Sequence, residues 1–202
     1  MKVTVLGANG KTGVEVVKQA LAAGHTVNAL VRSTPQSEQK NLNVFIGDAT
    51  DVKTVADASK GSDVIISTLG TNSNKSTLMT DAIAAVLVAS KATGVRRFIL
   101  MSSFAVHPDR LKGGAKLMMK ILSGMTKDKT NSENMIRKST LDWTIVYPTI
   151  LTNQPKGSGL RVVSESEKIG MKNKIARADV AAWMVHEAEK NEFVRADVTL
   201  SK

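Results

Sequence analysis

Gly7, Gly10 and Gly13 fall three residues apart in Gly7-Ala8-Asn9-Gly10-Lys11-Thr12-Gly13, directly after the apolar run Val3-Thr4-Val5-Leu6. That spacing suits one piece of chemistry, the cradling of a pyrophosphate by main chain. A tight turn needs a residue that tolerates positive φ, and phosphate comes close only to backbone without side chains. A third glycine lets the following helix sit tightly on the strand. The N–H groups of that helix's first turn then face the anion, and the helix dipole favours negative charge there. Asn9, Lys11 and Thr12 lie in the same turn and join the candidate site, Lys11 adding positive field. Gly10-Lys11-Thr12 also mimics the end of a nucleoside-triphosphatase loop. That loop requires a glycine five residues before its second one, where this chain has Val5. The bland alternative is a glycine-rich turn that binds nothing.

A second group of candidates follows the second apolar run. The chain reads Val31-Arg32-Ser33, with no acid until Glu38. A carboxylate at that place would accept bonds from the adenosine ribose of NAD, whereas a cation meets the 2′-phosphate of NADP. Arg32 can fork onto a phosphate and Ser33 can donate beside it, so the pattern favours NADP (NADPH) over NAD. An arginine that merely lies on the surface is the competing reading. Asp48, after the third run, would either accept from the adenine amino group or cap the next segment.

These residues need elements to hold them. The spacing predicts strands at Val3–Leu6, Val27–Val31, Asn43–Ile46, Asp63–Ser67, Arg97–Met101 and Trp143–Tyr147. It predicts helices at Val14–Ala23, Asp51–Ser59, Ser76–Thr93 and Lys127–Ser139. Val14, Val17, Ala20 and Leu21 make the apolar stripe of the first helix, Gly24 stops it, and Asp51 caps the second. Strand and helix alternating in this way mean right-handed crossovers and a parallel sheet covered on both faces. Lys112 to Met125, with Met118, Met119 and Met125, reads as a helix on the body, a lid over a cleft, or a partner-binding helix. Pro148 to Gly159 reads as a loop, Leu160–Val163 as a short strand, Asp179 as the cap of a helix over Val180–Glu189, and Val198–Leu200 as a last strand. Residues 1–202 are expected to form one domain, its C-terminal portion walling a substrate cleft.

Composition narrows the classes. The 202 residues are 42% hydrophobic and 23% charged, enough for a core and a solvated surface. No cysteine is present, which removes thiolate metal sites and a cysteine nucleophile. His25, His107 and His186 are scattered, and no metal site is expected. Lys plus Arg outnumber Asp plus Glu by 28 to 18, for a charge of +10. The basic residues form no block and aromatic residues are scarce, so a nucleic-acid partner is disfavoured. No apolar run is long enough to span a bilayer. A cytoplasmic protein, monomer or homodimer, is the expectation.

Beyond the glycine turn, Val31-Arg32-Ser33, Gly47-Asp48, Leu69-Gly70-Thr71, Met101-Ser102-Ser103, Leu141 to Pro148 and Ala178-Asp179-Val180-Ala181 follow in order. Together they resemble the atypical short-chain dehydrogenases that include NmrA-like proteins and the biliverdin reductase B-like flavin reductases. G-x-x-G-x-x-G is the spacing of short-chain dehydrogenases. The resemblance covers nearly the whole chain and implies a doubly wound α/β Rossmann fold, with NADPH across the carboxyl ends of the strands. It implies that Leu69 and Gly70 pass near ribose and phosphates. Ser103, with Ser102 beside it, would flank the nicotinamide, Lys129 would bind ribose as in many relatives, and Pro148 and Thr149 would pack by the nicotinamide ring. The flavin reductase branch has histidine at the place of Lys129. Ser103 could alternatively satisfy backbone groups at a strand end.

One departure from the group is informative. Ordinary short-chain dehydrogenases use Tyr-x-x-x-Lys to move a proton on an alcohol oxygen. The sole tyrosine here is Tyr147, and Leu151 stands four residues on. Reduction of a ketone in the usual way therefore lacks its acid. Hydride transfer to a flavin, quinone or tetrapyrrole asks less, because the acceptor ring takes up charge itself. The expectation is an NADPH-dependent reductase of such a planar acceptor. The rival readings are a non-catalytic NADP sensor of the NmrA kind and a nucleic-acid binder.

Overall fold

The computed structural model describes residues 1–33, 39–70, 76–114 and 126–202. The elements run Lys2–Leu6 (β1), Lys11–Ala22 (α1), Thr26–Val31 (β2), Leu42–Ile46 (β3), Val52–Ser59 (α2), Val64–Ser67 (β4), Leu78–Thr93 (α3) and Arg97–Met101 (β5). After two short 3-10 turns at Phe104–Val106 and Pro108–Arg110 come Lys127–Arg137 (α4), Asp142–Pro148 (β6), Ile150–Thr152 (β7), Arg161–Val163 (β8), Lys174–Ala176 (β9), Arg177–Lys190 (α5) and Ala196–Ser201 (β10).

The strands of the main sheet lie in the order β3-β2-β1-β4-β5-β6-β10-β8, parallel throughout except for β8 against β10. The chain reverses its direction of travel across the sheet between β1 and β4. Their carboxyl ends splay the flanking loops apart and open a crevice there. Side chains alternate between two apolar layers. Val3 and Val5 of β1 join Val27, Ile66, Ile99 and Val146 beneath α1 and α5, while Leu6 joins Leu30, Ile65, Phe98 and Ile145 beneath α2, α3 and α4. Both layers are dry, which is why these strands read as almost unbroken apolar runs.

Helix ends are tied down by side chains from other elements. Thr4 Oγ1 and Asn28 Nδ2 both donate to the Ala58 carbonyl at the end of α2, at 3.0 and 2.7 Å. This accounts for two polar residues inside the sheet. Asp51 caps α2 by accepting from the Thr54 amide at 2.9 Å, as its position in the sequence predicts. The α3 N-terminus is capped from outside: Asp128 of α4 accepts from the Met79 and Thr80 amides, each at 2.9 Å.

Three expectations need correction. α1 begins at Lys11 rather than Val14, because the Val14 amide already bonds the Gly10 carbonyl at 2.9 Å. Thr12, Gly13, Val16, Val17 and Ala20 face inward, and Val14 is 48% exposed. Asp179 does not cap α5: the helix starts at Arg177, and Asp179 sits buried in its first turn, accepting from the Gly157 amide at 2.8 Å. The segment read as loop from Pro148 to Gly159 contains β7, which pairs in parallel with β9 in a separate two-stranded sheet. β9 was not expected from the sequence, and the bounds of the remaining expected strands and helices fall within two residues of those observed. The methionine-rich stretch lies, from residue 115 to 125, outside the described residues.

Candidate functional site

The crevice at the reversal point is a cavity of about 240 Å³. Gly7, Asn9 and Gly10 line it from the turn after β1, Arg32 from the end of β2, Asp48 from beyond β3, and Leu69 and Gly70 from the end of β4. Residues from four separate places in the sequence thus meet on one hollow.

Local geometry explains the turn. Gly7 has φ +78°, a left-handed conformation open to glycine at little cost. Gly10 is extended and no side chain caps α1, so the amides of the first helical turn are left to an external acceptor. No acid stands in that turn to oppose an anion. Gly13 lies where α1 meets β1: a Cβ there would fall 2.1 Å from the Gly7 carbonyl oxygen. Thr12 and Gly13 are buried and hold α1 against β1 without lining the hollow, whereas Lys11 is exposed. A glycine-walled cavity at an uncapped helix N-terminus fits the diphosphate of a dinucleotide.

Arg32 is exposed at the rim, and Ser33 beside it is exposed without lining the hollow. Asp48 is exposed too: it lines the cavity, and its Oδ1 accepts from the Thr50 amide and hydroxyl, each at 2.9 Å, as the capping reading expects.

Because the sheet is parallel, the other sequence candidates line up along the same edge. Leu6 pairs with Ser67, Ser67 with Leu100, and Met101 with Val146. The ends of β1 and β5 are therefore two strand spacings apart, about 10 Å. Ser103 is half-buried just past β5; its Oγ accepts from the Ala105 amide at 3.3 Å and starts the first 3-10 turn. Ser102 is buried and donates its hydroxyl to Glu133 of α4. Pro148 and Thr149 are buried at the end of β6. The Thr149 amide bonds the Leu200 carbonyl at 3.0 Å, and its hydroxyl faces Ser201 at 3.4 Å.

Lys129 projects from the first turn of α4 and is half-buried. Burial pulls its ammonium below the ordinary lysine range, against the opposing charges of Glu133 and Asp128.

Sequence reasoning missed the group beneath these residues. Glu133 Oε2 accepts from the Tyr147 hydroxyl at 2.8 Å and from Arg137 at 3.3 Å, and Arg137 also reaches the Tyr147 oxygen at 2.6 Å and Asp197 at 2.9 Å. His107 lays its ring against Tyr147, centroids 4.5 Å apart. Burial and Glu133 push the Tyr147 phenol far above its ordinary range. The sole tyrosine is thus a buried donor whose hydroxyl is taken up by Glu133. The Glu133/Arg137 spacing, one helical turn, was the only hint of this cluster in the sequence. Among the described residues no group of three or more His, Cys, Asp or Glu could hold a metal ion, and no helix is long and apolar enough to cross a membrane.

The chain belongs to the NAD(P)H-binding family, whose model matches residues 7–191. It is 28% identical over 207 residues to the uncharacterized sugar epimerase YhfK of Bacillus subtilis, covering 97% of this chain and 92% of that protein. It is 29% identical over 206 residues to an uncharacterized chloroplastic protein of Arabidopsis thaliana, covering 93% and 71%. Among solved structures, a short-chain dehydrogenase/reductase from Veillonella parvula in complex with NADP matches with a TM-score of 0.84 at 17% identity, over 100% of this chain and 94% of that one. ChuY, an anaerobillin reductase from Escherichia coli O157:H7, matches with a TM-score of 0.79 at 24% identity, over 99% and 96%. These likenesses establish a Rossmann-type fold.

Proposed function

We propose that this chain, residues 1–202 acting as one dinucleotide-binding domain, is an NADPH-dependent reductase of a flavin or a similar planar acceptor such as a quinone or tetrapyrrole. The observation that carries the reading is the sharing of one cavity by Arg32 and the Gly7–Gly10 turn. Main-chain amides after Gly10 hold the diphosphate, with Asn9, Lys11 and Thr12 beside them. Arg32 and Ser33 meet the 2′-phosphate, and Asp48 meets the adenine. Leu69 and Gly70 border the ribose, and Ser102, Ser103, Pro148 and Thr149 border the nicotinamide end. Lys129 supplies a cation to the ribose there. NADPH, when bound, supplies the hydride.

Tyr147 supports the class of acceptor. With its phenol buried and bonded to Glu133, the chain presents no tyrosine acid for an alkoxide. An acceptor whose own ring spreads the charge removes that need. Ser103 orients the acceptor or the carboxamide through the hydroxyl that already accepts from Ala105. The likeness to an anaerobillin reductase is in keeping with such an acceptor.

The test is to mix purified protein with NADPH and FMN, riboflavin or a soluble quinone and follow the loss of near-ultraviolet NADPH absorbance. Oxidation above the protein-free rate is expected with at least one acceptor. No turnover with any of them, alongside intact NADPH binding, would replace this reading with that of a nucleotide sensor.

A further inference from the structure

Glu133 is a carboxylate with only 2% of its surface exposed, yet it stands among the candidate catalytic groups and not in the core proper. Three elements converge on it. Ser102 donates from the end of β5, Tyr147 donates from β6, and Arg137 donates from α4 itself while bridging to Asp197 of β10. Such a charge is costly to bury, and three donors, one of them the Arg137 guanidinium, offset that cost. A neutral side chain would tie the elements together at lower cost. The charge itself therefore invites a role.

Its counterpart is one helical turn back. Lys129 lies four residues before Glu133 on the same face of α4, and its Nζ makes no hydrogen bond or ion pair among the described residues. The charged and titratable groups around this corner are Asp128, Glu133 and Arg137 of α4, His107 after β5, Tyr147 of β6 and Asp197 of β10. Asp128 is occupied by the α3 amides, and Asp197 is exposed and held by Arg137. Glu133 and Asp128 are the two buried anions whose charges act on Lys129, and Glu133, one helical turn on along the same face, acts the more strongly.

We propose that Glu133 is a positioning residue for the coenzyme site. Fixed by Ser102, Tyr147 and Arg137, it anchors α4 under the carboxyl ends of β5 and β6 and supplies the counter-charge that keeps Lys129 a cation there. The inference deepens, and rests on, the dinucleotide reading of the site. Its consequence is that NADPH affinity depends on a residue that never touches NADPH. The hydrogen bonds of Glu133 set where Lys129 stands, and its charge sets the pH range over which Lys129 can hold an anionic ligand or ribose hydroxyls.

The test has two readouts on the same variants. The first is the titration of Lys129 by lysine-labelled NMR without coenzyme, its resonance assigned from its absence in K129R. In Glu133→Gln it is expected to move to lower pH. Tyr147→Phe, which removes a hydrogen bond and keeps the charge, leaves it in place. Arg137→Gln removes the half-exposed cation on the same carboxylate and moves it to higher pH. The second readout is the pH dependence of NADPH affinity by calorimetry. At mildly alkaline pH, E133Q is expected to bind about tenfold more weakly than wild type. Replacing Lys129 by arginine, which stays charged, restores binding in the E133Q background.

A Lys129 titration unmoved in both E133Q and R137Q, or moved equally by E133Q and Y147F, overturns the inference. So does an E133Q loss of affinity that is uniform with pH and not rescued by arginine. If the titration moves as expected but wild type binds neither pyridine coenzyme, the dinucleotide reading falls while the Glu133–Lys129 coupling stands.

Discussion

The methylene of Gly13 stands so close to the Gly7 carbonyl that an added Cβ would lie 2.1 Å from its oxygen and 2.9 Å from the Ala8 Cα. Both obstacles are backbone, so no rotamer change relieves them. The first turn of α1 must withdraw from β1, and with it the amides that would face a phosphate. Gly13→Ala is therefore expected to cost about 1–3 kcal/mol of stability, within the range for an overpacked interior, and to abolish NADPH binding in the fraction that folds. Denaturant unfolding and calorimetry on the same sample check both halves. A variant that folds and binds as wild type would mean that α1 can shift at no cost.

Arg32 lines the cavity at its rim, where the proposed reading places the 2′-phosphate. Removing its guanidinium deletes the counter-charge for the 2′-phosphate while leaving the diphosphate cradle intact. Arg32→Ala is expected to weaken NADPH about tenfold or more, about 1.4 kcal/mol, with NADH affinity little changed. The ratio of the two dissociation constants is the readout, and an unchanged ratio would mean that Arg32 is a surface residue without this role.

Tyr147 links Glu133 to Arg137 through one oxygen. Tyr147→Phe leaves both partners short of a bond in a buried setting and is expected to cost about 1–2 kcal/mol of unfolding free energy. Turnover should persist, because on the proposed reading the acceptor ring takes up the charge and needs no phenol acid. If turnover disappeared while binding stayed intact, Tyr147 would have to be counted as a reacting group.

His107 couples stability to pH. Burial against Phe104 and Tyr147 holds its imidazole below the ordinary 6.5, with Arg110 adding to the effect and Glu133, Asp197 and Asp109 opposing it. The unfolded chain takes up a proton below that value before the folded one does, so stability falls as pH drops through the window beneath 6.5. His107→Gln is expected to flatten the loss of stability between about pH 7 and pH 5.5. Parallel wild-type and variant curves would show that the imidazole is not the group responsible.

Features set by near neighbours in the chain were legible from the residues alone. The glycine turn, the Gly24 stop after α1 and the Asp51 cap on α2 each depend on contacts within a few positions. The parallel sheet followed from apolar runs at crossover spacing. What the residues did not disclose depends on partners far apart in sequence. Asp179 reads as a cap because it precedes an apolar stretch, but its carboxylate is taken by Gly157, 22 residues earlier. β7 is three residues long and finds its partner only in β9. Glu133 and Tyr147 look like a surface acid on a polar helix and one more apolar strand residue, until the fold sets them 2.8 Å apart. Gly7, Asn9, Gly10, Arg32 and Asp48, which line the hollow, could be singled out one by one because their signals are local. The surroundings of Ser102 and Lys129 depend on the buried Glu133, whose partners Ser102 and Tyr147 are tertiary.

On the proposed reading, the hollow between β1 and β4 takes NADPH by its diphosphate and 2′-phosphate. Calorimetric titration of the purified protein with NADPH and with NADH tests it most directly. Saturable binding of NADPH, about tenfold or more tighter than NADH, is the expected result. Binding of neither coenzyme, or equal affinity for both, would contradict it.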